Sequence, residues 1–93
     1  NQSIMKYNKL IAEFMELETP DGVYFEYLTK DGERSKLTHF ILLEYHLSWD
    51  WLMPVIDKCY QEHMSKHIAD AVMTCNIDKA YQVVVEFIKD QNN

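Results

Sequence analysis

Ninety-three residues suffice for one hydrophobic core, and an apolar fraction of 47% with 13% aromatics argues for a single folded domain rather than a disordered chain. Fifteen acidic against nine basic residues leave a net charge of -6, which repels a phosphate backbone and argues against direct nucleic-acid binding. Cys59 and Cys75 are too few for a disulfide framework and no run has the character of a signal or membrane span, so a cytoplasmic, reducing location is the expectation.

In chain order, the opening NQSIM is polar up to Met5, and residues 1–4 carry no functional weight. Tyr7, Leu10, Ile11, Phe14 and Met15 then recur at the spacing of one helix face, which predicts a helix from about Ser3 to Glu18. Thr19-Pro20-Asp21-Gly22 stops it, since Pro20 lacks the amide that a helix interior needs. Val23 to Thr29 is rich in β-branched and aromatic residues and reads as a strand. Asp31-Gly32 reads as a two-residue hairpin turn with positive φ at both positions. The return segment LTHFILLEY, Leu37 to Tyr45, contains the apolar run Phe40 to Leu43 and is expected to be strand.

Ser48 is the expected N-cap of a second helix, whose stripe is Leu52, Val55, Ile56, Cys59, Tyr60 and His63. Pro54 lies inside that pattern and should offset its first turn, Trp49 to Met53. Residues 65–75 either continue this helix or break away into a short one, and periodicity does not separate the two. Asn76 is the expected cap of a last helix with Ile77, Ala80, Tyr81, Val84, Phe87 and Ile88 on a wide apolar face, and Asp78 suits its positive end. The run Val83-Val84-Val85 points to central packing against the hairpin, and residues 1–5 and 90–93 are expected to fray. The order predicts an α+β fold: a helix, a small antiparallel hairpin, then two or three helices packed on it.

No catalytic signature is present: two glycines exclude a glycine-rich phosphate loop, and neither GxSxG nor HExxH occurs. Carboxylates such as Glu13 and Glu16 read as a solvated helix face. Two constellations remain. Cys59, His63 and His67 are four residues apart, so a continuous helix would align a thiolate and two imidazoles as zinc ligands, with Asp70 or Cys75 as a fourth. The competing reading makes Cys59 and His63 core or boundary residues and leaves the protein without a cofactor, and it is the preferred one. The other constellation, Tyr45 to Trp51, crowds aromatic and polar groups at the entrance to helix two, the composition of an interaction hot spot. Tyr45, His46, Asp50 and Trp51 are the candidate contacts with a protein partner. There Tyr45, His46 and one tryptophan are expected to stay partly exposed, with Trp49 the more buried of the two. The simpler alternative has one tryptophan filling the core and Asp50 complementing the helix N-terminus.

The segment YHLSWDWLMPVIDK, Tyr45 to Lys58, resembles a block of small uncharacterised proteins of bacteriophages and prophages of Bacteroidetes type. NKLIAEFM, Asn8 to Met15, and AYQVVVEFIK, Ala80 to Lys89, resemble two further blocks in the same order, so about a third of the 93 residues is covered. The chain departs from that pattern between helix two and the last helix, where HMSKHIADAV looks helical, and in Asp90-Gln91, where a tryptophan is typical. The resemblance implies a phage or mobile-element origin and a host cytoplasmic location. It brings no catalytic residues with it. The expectation is a non-enzymatic accessory protein that binds another protein, an inhibitor of a host factor being one form of it. The alternative is a small metal-binding regulator or enzyme built on Cys59, His63 and His67.

Overall fold

The computed structural model describes residues 2–29, 31–63 and 66–91. The fold is α+β: an N-terminal helix, a two-stranded antiparallel sheet, and three further helices. The chain divides into two units, residues 1–43 and 44–93.

In the first unit, α1 spans Gln2–Phe14 and buries Asn8, Ile11 and Ala12 on one face. It ends four residues before the expected Glu18, and the reason lies in the backbone. Glu16 adopts φ 56, its N–H donates to the Glu13 carbonyl at 3.0 Å, and the Leu17 N–H reaches the Ala12 carbonyl at 3.1 Å. These are the paired bonds of a left-handed helix stop, made here without the glycine that usually marks one. The next turn is held by side chains. Thr19 Oγ1 accepts from the Gly22 N–H and donates to the Tyr24 carbonyl, both at 2.7 Å. Asp21 Oδ1 accepts from the N–H groups of Val23 and Tyr24 at 2.9 and 3.0 Å. Gly22 takes φ 78, a conformation that glycine adopts without strain.

Strands β1, Tyr24–Phe25, and β2, Thr38–His39, pair Tyr24 with His39 and Phe25 with Thr38. Isolated bridges extend the ladder, Leu28 to Arg34 on the β2 side and Glu26 to Glu18 on the other. The register shifts on the way: Ser35 donates to the Tyr27 carbonyl at 2.8 Å, so Lys36 and Leu37 together oppose Glu26. That is a β-bulge, and the hydroxyls of Ser35 and Thr38 both donate to the Lys36 carbonyl, at 2.9 and 3.0 Å. The turn differs from the expected two-residue one. The Thr29 N–H donates to the Glu33 carbonyl at 2.8 Å, so three positions rather than two separate the closing pair, and Gly32 has a positive φ of 80°.

The expected strand over Phe40 to Leu43 is also corrected: Phe40–Leu42 is a single 3-10 turn. It stands across from α1, where the buried Asn8 Nδ2 donates to the Leu43 carbonyl at 3.0 Å. Phe25 and Leu43, both fully buried, complete this unit's core.

In the second unit, α2 spans Trp49–Glu62 and buries Leu52, Val55, Ile56 and Cys59, the expected stripe without its last two members: Tyr60 is half-buried and His63, past the helix end, is exposed. Ser48 holds the N-cap position without a side-chain cap bond. Pro54 lies within α2 on its exposed side, where loss of a backbone donor costs least. The open question about residues 65–75 is resolved as a break: α3, Lys66–Met73, is a separate helix that buries Ile68 and Ala71. It stops at Cys75, with φ 58, while Thr74 Oγ1 donates to the Ala71 carbonyl at 2.6 Å. Asn76 Oδ1 then accepts from the Lys79 N–H at 3.2 Å and so caps α4, Ile77–Gln91. Ala80, Tyr81, Val84, Val85 and Ile88 are buried on α4, which packs on α2 and α3. The fraying expected at 1–5 and 90–93 falls partly on residues 1, 92 and 93, outside the described residues; 2–5 and 90–91 are helical.

Candidate functional site

The aromatic segment before α2 is largely spent on internal contacts. Tyr45 is 4% exposed, which overturns the partial exposure expected of it. Its ring meets Trp51 edge to face at 5.2 Å, and burial holds its phenol well above the ordinary value. The half-buried His46 lies 6.1 Å from the Tyr81 ring of α4. Trp49 and Trp51 are both half-buried, and Asp50 is exposed in the first turn of α2, near the positive end of the helix. The cause is the reversal at 44–48: the Leu47 and Ser48 N–H groups both reach the Glu44 carbonyl, at 3.0 and 3.1 Å. Leu47, 66% exposed, is the apolar side chain this segment leaves in solvent.

The three sequence-predicted zinc ligands are not brought together. Alignment of Cys59, His63 and His67 needs one continuous helix, but α2 ends at Glu62 and His63 is extended, with φ -165. His63 and His67 are exposed on either side of that break, whereas Cys59 is fully buried. Burial, with the charge of Glu62, pushes the Cys59 thiol up to about 11, opposite to what a thiolate ligand needs. Among the described residues no group of three His, Cys, Asp or Glu side chains is placed to hold a metal ion.

The site that sequence reasoning missed is the outward face of the hairpin. Side chains alternate along a strand, so Tyr24, Glu26 and Leu28 share one face and Phe25 the other. Phe25 is buried, while Tyr24 is 43% and Leu28 71% exposed. Cross-strand pairing adds His39 and Arg34 to the exposed face. The bulge brings in Leu37, 48% exposed, which lines a shallow open depression with Glu18, Thr19, Pro20 and Glu26. Arg34 spans this face. Its two terminal nitrogens donate to the Glu18 carboxylate at 2.8 and 3.1 Å, and Nη1 also lies 3.4 Å from Glu26 Oε2. An exposed pair of this kind adds little stability, but it fixes a planar cation among apolar side chains. The signal was present in VYFEYLT: a half-buried strand alternates apolar with polar, whereas this one places apolar residues on both faces.

Comparison with known proteins finds no matching family model, no matching curated sequence and no matching solved structure. Among the described residues, no helix is long and apolar enough to cross a membrane.

Proposed function

We propose that this chain is a non-enzymatic accessory protein of bacteriophage type that acts in the host cytoplasm by binding another protein, through the outward face of its hairpin. The observation that carries the reading is the exposure of Tyr24, Leu28 and Leu37 on one face of a sheet whose other face buries Phe25. Apolar side chains gathered at a surface mark contact sites, and Tyr and Arg are the residues on which binding energy concentrates. Tyr24 and Arg34 supply both. The net charge of -6 favours a basic partner, since complementary charge speeds encounter and selects among partners. Inhibition of a host factor is the form of this activity that a phage origin favours.

The test uses the tagged full chain, a Leu28→Asp/Leu37→Asp double variant, and Trp51→Ala, each checked for helix content by circular dichroism. Wild type should retain a specific protein from a bacterial host lysate, and the hairpin variant should lose it while keeping its fold. If the hairpin variant binds normally and Trp51→Ala does not, the contact lies on the Tyr45–Trp51 segment and the hairpin reading fails. Recovery of no specific partner by the wild type counts against protein binding altogether.

A further inference from the structure

His39 stands where β2 passes into the 3-10 turn, and its side chain folds forward over that turn. The Ile41 N–H donates to His39 Nδ1 at 3.2 Å. The ring is held on two sides, with Tyr24 edge-on at 5.1 Å and Phe40 tilted against it at 4.6 Å. An imidazole nitrogen accepts a hydrogen bond only when it is bare, so this contact requires the neutral ring with its proton on Nε2. We propose that His39 is a proton-operated latch: neutral, it holds the Phe40–Leu42 turn through Nδ1, and protonated, it releases that turn and turns toward the Asp21 carboxylate.

The chemistry is a change of sign at one atom. Protonation places an N–H on Nδ1 facing the Ile41 N–H, so two donors oppose each other and the bond is lost. Histidine is the side chain whose ordinary titration falls near neutral pH, where such a change is accessible. Charged and polar groups surround the ring and its neighbour Phe40. From the 19–23 turn comes Asp21, whose carboxyl is held low by the amides of Tyr24 and Val23, with the His39 charge adding to them. From α1 comes Lys9, whose Nζ lies 5.6 Å from the Phe40 ring centre. From β1 comes the Tyr24 phenol. Asp21 attracts the imidazolium, so the protonated ring is drawn toward that carboxylate.

The far end of the turn stays pinned, because Asn8 holds the Leu43 carbonyl from α1. The freedom gained is therefore confined to Phe40–Leu42, which carries the exposed side chains Ile41 and Leu42, 47% and 64% exposed. The proton changes how two apolar side chains are presented. This inference stands whether or not the hairpin face is a binding site.

Residue-resolved nitrogen NMR on the full chain between pH 5 and 8 tests it. At the high end His39 should show a bare Nδ1 and a protonated Nε2. As the ring titrates, the Ile41 amide should shift with the same midpoint, and its hydrogen exchange, corrected for pH, should rise about five- to tenfold, the effect of losing one capping bond. His39→Asn keeps a side-chain acceptor that does not titrate, so its Ile41 amide should be flat across this range. Asp21→Asn removes the attracting charge and should move the Ile41 transition to lower pH. A neutral His39 with its proton on Nδ1 overturns the proposal. So does an Ile41 amide indifferent to the His39 titration, or one that still responds in His39→Asn.

Discussion

Asn8 is the one polar side chain buried among the described residues, at 1% exposure, and it links two segments 35 positions apart in sequence. Replacing it with Ala strands the Leu43 carbonyl, in a residue with no exposed surface, away from both its donor and water. A buried acceptor left unsatisfied costs about 1–3 kcal/mol, and the lost side-chain volume adds to it, for a total of about 2–4 kcal/mol. Against the roughly 5–15 kcal/mol that holds a domain together, that is a large share. Urea denaturation followed by circular dichroism at 222 nm reads it as a lower midpoint with little change in slope. Two companions separate the causes. Asn8→Leu refills the space but supplies no donor, so it should recover only part of the loss. Asn8→Asp places a carboxylate against a carbonyl in a site that disfavours charge, so its folded-state pKa rises above the unfolded one. The folded form then prefers the protonated acid, which can donate to Leu43. The penalty of Asn8→Asp relative to wild type is therefore smallest in acid and grows as pH rises from about 4 towards 7. An Asn8→Leu variant as stable as wild type would refute the reasoning, because the hydrogen bond would then contribute nothing.

Four further outcomes are expected. Cys75 holds a left-handed φ of 58° with a β-carbon present, so Cys75→Gly should raise stability by about 0.5–1 kcal/mol and Cys75→Val should lower it; a thermal melt in reductant decides. The Asp21 carboxyl is lowered from 3.8 by the amides of Tyr24 and Val23, so its contribution is present above that value and lost as pH falls through the folded-state one. Asp21→Ala should accordingly be weakened near neutrality and converge on wild type in strong acid, as read from denaturation midpoints against pH. The exposed Cys75 should react with a thiol reagent at pH 8 without delay, while Cys59, buried and raised to about 11, should react only after the chain unfolds; two equally fast equivalents would contradict its placement. Because the break after Glu62 separates His63 from His67, added zinc should leave the melting temperature of the full chain unchanged, and a rise that saturates near one equivalent would restore the metal reading.

Local periodicity made the helices legible. The faces of α2 and α4 follow from apolar residues recurring every three to four positions, and the Asn76 cap follows from the hydrogen-bonding reach of its short side chain, whereas on α1 only Ile11 of the expected stripe is fully buried, beside Asn8 and Ala12. The hairpin's position was equally plain, from VYFEYLT followed by Asp31-Gly32. Of the candidate site little was legible, because exposure depends on which side of each element finds a partner. Tyr45 and Leu47 are two positions apart in one segment, yet Tyr45 is buried and Leu47 exposed, a choice made by the reversal at 44–48 and by Trp51. The stops at Glu16 and Cys75 leave no mark in composition, since neither is the glycine that a left-handed backbone prefers. The run Phe40–Leu43 was expected to be strand and folds as a 3-10 turn for the same underlying reason. An apolar tetrad specifies burial without specifying backbone, and the 3-10 turn is held by His39 at one end and, at the other, by Asn8, which only tertiary folding brings within reach of Leu43.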